Sequence, residues 1–312
     1  KTATSVLTGL TGSILNSRGG PLRVTADWRV TQDDEATSHR VLPTVHPSFT
    51  TRAPSWRPVL HADIGKAFRW FKDALNWTAP ENLWRPTPDQ LEDWLQQPAP
   101  FWAYDVETDG IEPLTCALRT IAISIPDLKD DGRVARTLKE TAQVCRGVGI
   151  SLLSSDGHTR FYSDTEERRI KDILAAAFID GRTWVGHNAG AYDRQVIEHH
   201  LGVTPAPLID TLFPARFRAP DLPKGLKTIG SILLDVERWE TTEKGDSIAT
   251  GSTNDDELLS YNLVDTAVSA RIVAPLIDAA SEAGAFRPLP EALKPASWPE
   301  NKPWNLFEVD HQ

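Results

Sequence analysis

Residues 101–108 read FWAYDVET, an apolar strand that ends in acidic residues. Successive side chains of a strand point to opposite faces of a sheet, so Asp105 and Glu107 are expected to project on the same side. Two neighbouring carboxylates repel each other unless a cation lies between them, and hard divalent cations prefer carboxylate oxygen. The stretch therefore predicts a core strand that carries a metal site. The acidic tripeptide taken alone is also compatible with a solvated strand end.

Alternating strands and helices follow this stretch and predict an α/β sheet with helices on both faces. Strands are expected at 119–125, 149–153, 159–162, 183–185 and 208–212, with 149–153 and 159–162 flanking a hairpin turn, and helices at 165–178, 192–201, 226–234 and 255–280. Before residue 101, helices are expected within residues 1–20 and over residues 55–72. Thr87 is expected to cap a further helix, with proline at the first helical position and Gln90 at the third. A linker is predicted over residues 76–88, and an insertion over residues 126–148.

A second acidic motif lies in residues 186–193, which read GHNAGAYD and join a predicted strand to a predicted helix. Asp193 falls in the first turn of that helix, where the helix dipole favours a negative charge. The alternative interpretation is a turn followed by an ordinary helix start.

A third motif, YNLVD at residues 261–265, lies within the last predicted helix. The i, i+4 spacing places Tyr261 and Asp265 on one face of that helix. Taken alone, this motif is also compatible with a partly exposed helix face.

In this order, the three motifs resemble those of the DEDD 3′–5′ exonucleases, the DnaQ-like group with a ribonuclease-H-like mixed sheet flanked by helices. The tyrosine matches the tyrosine subgroup, which includes the proofreading domains of family A DNA polymerases. The resemblance covers roughly residues 98–280, with 86 residues from Glu107 to Asp193 and 72 from Asp193 to Asp265. Residues 208–212 and 220–226 also resemble stretches of phage-type members. The resemblance implies an enzyme that hydrolyses phosphodiesters from the 3′ end.

The same resemblance implies two divalent metal ions, Mg²⁺ or Mn²⁺, as cofactors. The four implied metal ligands are Asp105, Glu107, Asp193 and Asp265. In the family's pattern, Asp105 bridges both ions, and Glu107 and Asp265 hold the ion that activates water. Asp193 helps to hold the second ion, mainly through water, and Tyr261 orients the attacking water. Two cations about 3.5–4 Å apart can serve both the attacking and the leaving oxygen.

Contacts with the substrate are also expected from this resemblance, at Thr108, His187, Asn188 and Tyr192. Asn188 is expected to brace the site or to contact the terminal nucleotide, whereas His187 is equally compatible with a simple turn residue. Asp210 is expected to be a capping group near the site. A strand path lined by basic side chains, with stacking residues beside it, is expected from Arg194, Arg216, Arg218, Lys224 and Lys227 with Phe213, Phe217 or Leu114. Each of these charges, taken singly, is also compatible with a solvated surface.

The front of the chain carries a separate motif. Residues 46–52, HPSFTTR, resemble the late active-site loop of uracil-DNA glycosylases. The resemblance assigns to His46 a hydrogen bond to uracil O2, to Pro47 and Ser48 pressure on the DNA strand, and to Arg52 a place near the backbone. It covers only about residues 1–75, without the loop that positions water or the aromatic that stacks on uracil, so no glycosylase activity is expected from this chain alone. A His-Pro turn in an unrelated helical cap is the alternative.

Composition limits both assignments. A chain of 312 residues with a net charge of −10 is expected to form two domains. No apolar run is long enough for a membrane span, and Cys116 and Cys145 are too few for a disulfide scaffold, which favours a reduced cytoplasm in a bacterial or phage-infected cell. The absence of methionine and the basic character of the front segment suggest a piece of a phage-type fusion protein.

The expected organisation has four segments: a partial glycosylase-like segment (1–77), a linker with a leading helix (78–97), the exonuclease domain (98–290) and a tail (291–312). The expected substrate is the 3′ end of single-stranded DNA, and the expected partner is a DNA polymerase domain or subunit that the enzyme proofreads. Two alternatives remain open. One is an RNA-trimming 3′–5′ exoribonuclease with the same acidic set, and the other is a non-catalytic module that binds DNA or a polymerase.

Overall fold

The computed structural model describes Gly19 and residues 22–24, 30–31, 39–126, 145–218, 220–237, 239 and 254–282. The helix expected within residues 1–20, most of the expected insertion and the expected tail lie outside these ranges. None of the helices within them combines the length and the apolar character that crossing a bilayer requires.

The front of the chain forms a small antiparallel sheet followed by helices. Its strands are β1 (Leu22–Val24), β2 (Val30–Thr31) and β3 (His39–Val41), in the order β2–β1–β3. Helix α1 (Pro47–Arg52), a 3₁₀ turn (Pro54–Trp56) and helix α2 (Arg57–Phe71) follow. The helix expected over residues 55–72 is therefore present.

A six-stranded mixed sheet forms the centre of the structure. Its strands are β4 (Glu81–Trp84), β5 (Trp102–Thr108), β6 (Leu118–Pro126), β7 (Cys145–Ser151), β8 (Trp184–Gly186) and β9 (Leu208–Asp210). Their order across the sheet is β4–β7–β6–β5–β8–β9. Strand β6 is antiparallel to both of its neighbours, whereas the β4–β7, β5–β8 and β8–β9 pairs are parallel.

Helices cover both faces of this sheet. They are α3 (Pro88–Leu95), α4 (Asp164–Ile179), α5 (Asp193–Leu201), α6 (Leu212–Arg218), α7 (Leu226–Leu233) and α8 (Asp255–Glu282). Helices α3, α4 and α5 enclose one apolar core against the sheet, and α8 crosses the opposite face. The α/β class, with a mixed sheet flanked by helices, is confirmed.

Side-chain alternation along β5 divides the two cores. Tyr104 and Val106 pack in the cluster beneath α4, while Ala103 packs in the cluster beneath α8. Because side chains two residues apart share a face, positions 105 and 107 also face α8. Gly149 on β7 permits the close approach of this helix, since a Cβ there would meet Leu259 Cδ1 at 2.8 Å.

Helix starts follow the local sequence. The hydroxyl of Thr87 accepts a hydrogen bond from Gln90 N, and the Gln90 side chain accepts one from Thr87 N, so the capping box expected here is confirmed. Ser163 and Glu166 form the same reciprocal pair at the start of α4. These pairs satisfy backbone N–H groups that have no partner within the helix.

Three details of the expected sheet are wrong. The predicted linker contains strand β4, which lies at the sheet edge between Pro80 and Pro86, where proline is tolerated. Strand β7 begins at Cys145, inside the predicted insertion. The sequence pattern missed this start because two glycines interrupt the β-branched pattern that marks a strand. The expected hairpin is reduced to a single bridge between Leu153 and Arg160.

Helix α2 fixes the front unit against α7. Lys66 is buried, and its Nζ donates hydrogen bonds of 2.7 Å to both Gly19 O and Ser231 O. Arg69 donates two hydrogen bonds, of 2.7 and 2.6 Å, to the buried carboxylate of Asp235. Breaking the pair between Arg69 and Asp235 would leave a buried charge without compensation. These contacts therefore hold α2 against α7 and the residues that follow it.

Candidate active site

Three carboxylates converge where the end of β5 meets α8. Asp105 and Glu107 come from β5 and Asp265 comes from α8, and one oxygen of each lies within 4.8 Å of the others. Strand alternation turns the first two toward α8, and the i, i+4 spacing places Tyr261 and Asp265 on one helix face. Residues that are far apart in the chain thus form a single acidic cluster.

Asp193 flanks this cluster at the start of α5. It is buried, and its Oδ1 accepts a hydrogen bond of 3.1 Å from Val106 N, between the two acidic residues of β5. Within the described ranges, it is not among the carboxylates that lie within 4.8 Å of one another. Its position at the helix start adds a favourable dipole to that hydrogen bond.

Asn262 of α8 orients Asp105. Its side chain is fully buried, its Nδ2 donates to Asp105 Oδ2 at 2.6 Å, and its Oδ1 accepts from Thr120 Oγ1 at 3.0 Å. The amide N–H can only donate, so this contact favours the ionised form of Asp105. This chain of contacts fixes one oxygen of Asp105 and leaves Oδ1 for a further ligand.

Trp239 supports Asp265 in a similar way. The indole Nε1 donates a hydrogen bond to Asp265 Oδ1. The ring packs against the apolar cluster shared by α6, α7 and α8. The indole N–H can only donate, so this contact holds the Asp265 carboxylate in one rotamer.

Lys227 of α7 contacts Tyr261. Its Nζ donates to the tyrosine hydroxyl at 2.6 Å and lies 4.6 Å from the centre of the ring. Because an ammonium group has no acceptor, the hydroxyl accepts this bond and keeps its own proton, which it shares with Asp265. Burial raises the pKa of Tyr261 well above its usual range, so the phenol is neutral.

Crowding and burial change the protonation of the carboxylates. Withdrawal from water, followed by the charges of the neighbouring carboxylates, raises the pKa of Asp105 well above its usual range. The same two causes raise the pKa of Glu107 to about 8, although the positive charge of Lys227 opposes them. Withdrawal from water raises the pKa of Asp193 to about 7. Without a cation, the cluster therefore retains protons at neutral pH.

These observations fit a divalent metal centre. Carboxylate oxygens are the ligands that Mg²⁺ prefers, and Asp105, Glu107 and Asp265 supply them at one point. Neutral donors on Asn262 and Trp239 orient two of these groups without neutralising them. A cation would offset the mutual repulsion that, after burial, raises the pKa values of Asp105 and Glu107.

Thr108 and Tyr192, two of the expected substrate contacts, lie against each other. Their hydroxyl oxygens are 2.6 Å apart, and both lie within hydrogen-bond distance of Gly110 O, at 2.7 Å from Thr108 and 2.6 Å from Tyr192. Thr108 is buried. The pair therefore ties the loop after β5 to the start of α5, beside the acidic cluster.

His187 and Asn188 are the other two expected substrate contacts. They lie in a turn whose backbone N–H groups donate to the carboxylate of Asp210. The carboxylate of Asp210 accepts hydrogen bonds from Asn188 N at 2.8 Å, Gly190 N at 3.0 Å and Leu212 N at 2.9 Å. The His187 ring nitrogens contact Thr211 Oγ1 at 2.8 Å and Lys224 O at 2.6 Å. The structure thus places the histidine in a brace between β8 and the segment before α7. The Asn188 side chain is exposed.

The front motif is built from local contacts. His46 caps α1: its Nδ1 accepts from Ser48 N at 3.1 Å and lies 2.8 Å from Ser48 Oγ. Pro47 and Arg52 are the first and last residues of the same short helix. Across the described ranges, no hydrogen bond or ion pair joins these four residues to the acidic cluster.

Two residues of the site were missed by sequence reasoning. Asn262 lies next to the motif tyrosine, and a buried amide within an acidic motif is a usable signal for an orienting residue. Trp239 precedes α8 and belongs to no motif, so its contact with Asp265 depends on the packing of α6, α7 and α8.

Comparisons with known proteins add solved structures of low similarity. No family model matches the chain, and no curated protein matches it. Brucella melitensis NrnC with bound Mg²⁺ has 21% identity and a TM-score of 0.44 over 65% of this chain and 82% of that one. Escherichia coli RNase D, described as an exoribonuclease involved in structured RNA processing, has 20% identity and a TM-score of 0.45 over 68% of this chain and 48% of that one.

The catalytic core of RRP6 from Trypanosoma brucei is also similar, with 14% identity and a TM-score of 0.44 over 85% of this chain and 62% of that one. Identities and TM-scores this low assign neither a family nor an activity to this chain. The geometry of its own acidic cluster carries the functional argument.

Proposed function

We propose that this chain is a metal-dependent 3′–5′ exonuclease that hydrolyses phosphodiesters by two-metal catalysis. The observation that carries the proposal is the convergence of Asp105, Glu107 and Asp265 within 4.8 Å at the junction of β5 and α8. The raised pKa values of Asp105 and Glu107 support the proposal, because a site without a ligand gains nothing from crowding carboxylates.

The metal ligands would be Asp105, Glu107 and Asp265, with Asp193 on the flank toward the second ion. Two divalent ions bound there would activate a water molecule and stabilise the leaving oxygen. The residues of the chain hold the geometry: Asn262 fixes the rotamer of Asp105, and Trp239 fixes that of Asp265. Preorganisation of this kind lowers the cost of reaching the reactive arrangement.

Tyr261 would orient the attacking water. Its hydroxyl accepts from Lys227 and keeps its own proton, which it would donate to the water once a metal ion occupies Asp265. Burial raises the pKa of Tyr261, so the neutral phenol would not act as a general base. Lys227 therefore sets the direction of the tyrosine hydroxyl. The positive charge of Lys227 also lies close enough to Glu107 to oppose the rise in the pKa of Glu107.

The proposed substrate is the 3′ end of single-stranded DNA, and the proposed exonuclease domain spans residues 98–290. The chain would proofread within a phage-type replication protein, with a DNA polymerase domain or subunit as its partner, in the cytoplasm. The support for this context is the resemblance of residues 46–52 to a uracil-DNA glycosylase loop. The partial glycosylase-like segment, residues 1–77, would not excise uracil.

The test is the digestion of a 5′-labelled DNA oligonucleotide in Mg²⁺, with Asp105→Asn and the control Asp172→Asn compared with the wild type. Asp172 is exposed on α4, away from the cluster. A ladder that shortens from the 3′ end, is lost with EDTA and Asp105→Asn, and persists in Asp172→Asn is expected. Wild-type rates in Asp105→Asn contradict the proposal. A matched RNA strand that is digested faster than DNA assigns the RNA-trimming alternative, and metal-independent binding without digestion assigns the binding module.

A further inference from the structure

Helix α6 has two chemically different sides. Pro214 and Ala215 are buried, and Ala215 packs in the apolar cluster that α6 shares with α7 and α8. Phe213 and Phe217 point the other way and are 40% and 46% exposed. Two partly exposed aromatic rings on one helix face form a small apolar patch that a flat ligand can cover.

Arg216 adds a positive charge to this face. Its guanidinium lies 5.7 Å from the centre of the Phe213 ring, and its side chain is exposed. Phe213 and Phe217 are i, i+4 neighbours, so their Cβ atoms lie about 5–6 Å apart. We call Phe213, Arg216 and Phe217 together the stacking face.

Short connections tie the stacking face to the turn that leads to Asp193. Leu212 N donates to Asp210 Oδ1, which also accepts from Asn188 N in the turn that leads to Asp193. Phe213 is three residues from Asp210, so the two Cα atoms are at most about 11 Å apart. The helix is therefore tied to the framework that positions Asp193.

We propose that the stacking face binds the bases of a single nucleic-acid strand several nucleotides 5′ of its scissile end. This inference rests on the proposed function and extends it to substrate length. Aromatic rings combined with arginine bind single strands with little sequence preference, because every base has a face to stack. A chain with a net charge of −10 needs local positive groups such as Arg216 to hold a polyanion.

The inference predicts a dependence on length. A dinucleotide whose scissile bond lies at the acidic cluster is expected to be too short to contact α6 as well, so it is expected to gain nothing from the stacking face. A longer strand gains base stacking, which lowers its KM while leaving the chemical step unchanged. The double variant Phe213→Ala/Phe217→Ala is expected to raise KM about tenfold for dT12 and not for a dT dinucleotide. The kcat of both substrates is expected to stay at the wild-type value.

The experiment measures kcat and KM for dT oligonucleotides of 2 to 12 nucleotides in Mg²⁺. Phe68→Ala is the control, because Phe68 is 65% exposed on α2 in the front unit. Phe213→Leu/Phe217→Leu keeps apolar bulk without an aromatic face and is expected to behave like the alanine variant. Arg216→Met is expected to weaken dT12 binding and to flatten its dependence on salt.

Three outcomes overturn the inference. In the first, the double variant keeps wild-type KM at every length. In the second, the double variant raises KM or lowers kcat equally for the dinucleotide and for dT12, which indicates damage to the active site itself. In the third, the variants change only the self-association of the protein, which assigns the face to a second copy.

Failure of the proposed function gives a different result, since wild-type protein would then digest no substrate of any length. In that case, anisotropy of labelled dT12 in Ca²⁺ still tests the face. A dissociation constant about tenfold weaker in the double variant than in Phe68→Ala supports the inference. Equal constants overturn it.

Discussion

The end of β5 and the start of α1 both carry short sequence motifs, but the rest of the chain contributes differently to each. Asp105 and Glu107 meet Asp265 from α8, although more than 150 residues separate them in the sequence. His46 instead finds its partner, Ser48, two residues away. A local pair is what a helix cap needs, whereas crowding like charges costs free energy unless a ligand binds. Convergence of distant carboxylates, more than the motif itself, therefore marks a site.

The largest expected effect comes from Asp265→Asn, which keeps the size of the side chain and removes its charge. We expect exonuclease activity to fall by about 100-fold or more, because a metal ligand contributes several kcal/mol to the transition state. In metal-free buffer at pH 8, we expect the variant to be more stable than the wild type. Removing one of several repelling charges is expected to raise the midpoint of thermal unfolding by about 2–4 °C.

Two measurements check this pair of effects, an oligonucleotide digestion in Mg²⁺ and thermal unfolding in EDTA. Asp172→Asn is the matched control, since the same change at an exposed position is expected to alter neither. A variant that keeps both the wild-type rate and the wild-type midpoint would remove Asp265 from the metal centre. The comparison between the two motifs would then lose its main support.

Asn262→Ala is expected to have the second largest effect. Loss of the amide frees the Asp105 carboxylate to rotate, and outer contacts of this kind contribute about 10–100-fold to metal affinity. We expect the Mg²⁺ concentration for half-maximal rate to rise by that factor, while kcat at saturating Mg²⁺ falls much less. Thr120→Val removes the contact behind the amide and is expected to produce a smaller shift in the same direction. An unchanged Mg²⁺ dependence in Asn262→Ala contradicts the orienting role.

Part of this site follows from the sequence. Alternation along residues 101–108 placed Asp105 and Glu107 on one face, and the YNLVD spacing placed Tyr261 with Asp265, because both depend on local periodicity. Contacts between distant elements could not be predicted from the sequence. Trp239 contacts Asp265 only because α6, α7 and α8 share an apolar cluster. Strand β4 was missed for a related reason, since its pairing with β7 outweighs a local composition rich in proline.

The pH dependence of metal binding is expected to be the third largest effect. The pKa of Glu107 is raised to about 8 and that of Asp193 to about 7, mainly by withdrawal from water. Protons therefore compete with Mg²⁺, and we expect the affinity for Mg²⁺ to rise as the pH increases from 6 to 9. Calorimetric titration in two buffers of different ionisation enthalpy counts the protons released, which should decrease as the pH rises past the raised pKa of Glu107, about 8.

The stability of the metal-free protein should fall as the pH rises, whereas its affinity for Mg²⁺ rises. A carboxyl group with a raised pKa binds more protons in the folded state than in the unfolded state between about pH 4.5 and 8. Stability therefore falls as the pH rises through this window. Saturating Mg²⁺ should reduce the fall, because the ion replaces the protons. A metal affinity that does not change between pH 6 and 9 contradicts the raised pKa values.

The smallest expected effect comes from His46→Ala. The ring of His46 caps α1 and lies on the exposed surface of the front unit, so its loss is expected to change the exonuclease rate by less than about twofold. Neither the wild type nor the variant is expected to release uracil from a uracil-containing DNA strand, which a glycosylase assay with a labelled abasic-site readout can check.

The decisive measurement compares His46→Ala with Asn262→Ala on one substrate at limiting Mg²⁺. If the histidine variant lost as much activity as the asparagine variant while remaining folded, the front motif would have to act on the acidic site through α2 and its ion pair between Arg69 and Asp235. A difference of tenfold or more between the two variants instead confines the chemistry to the side chains that converge on β5.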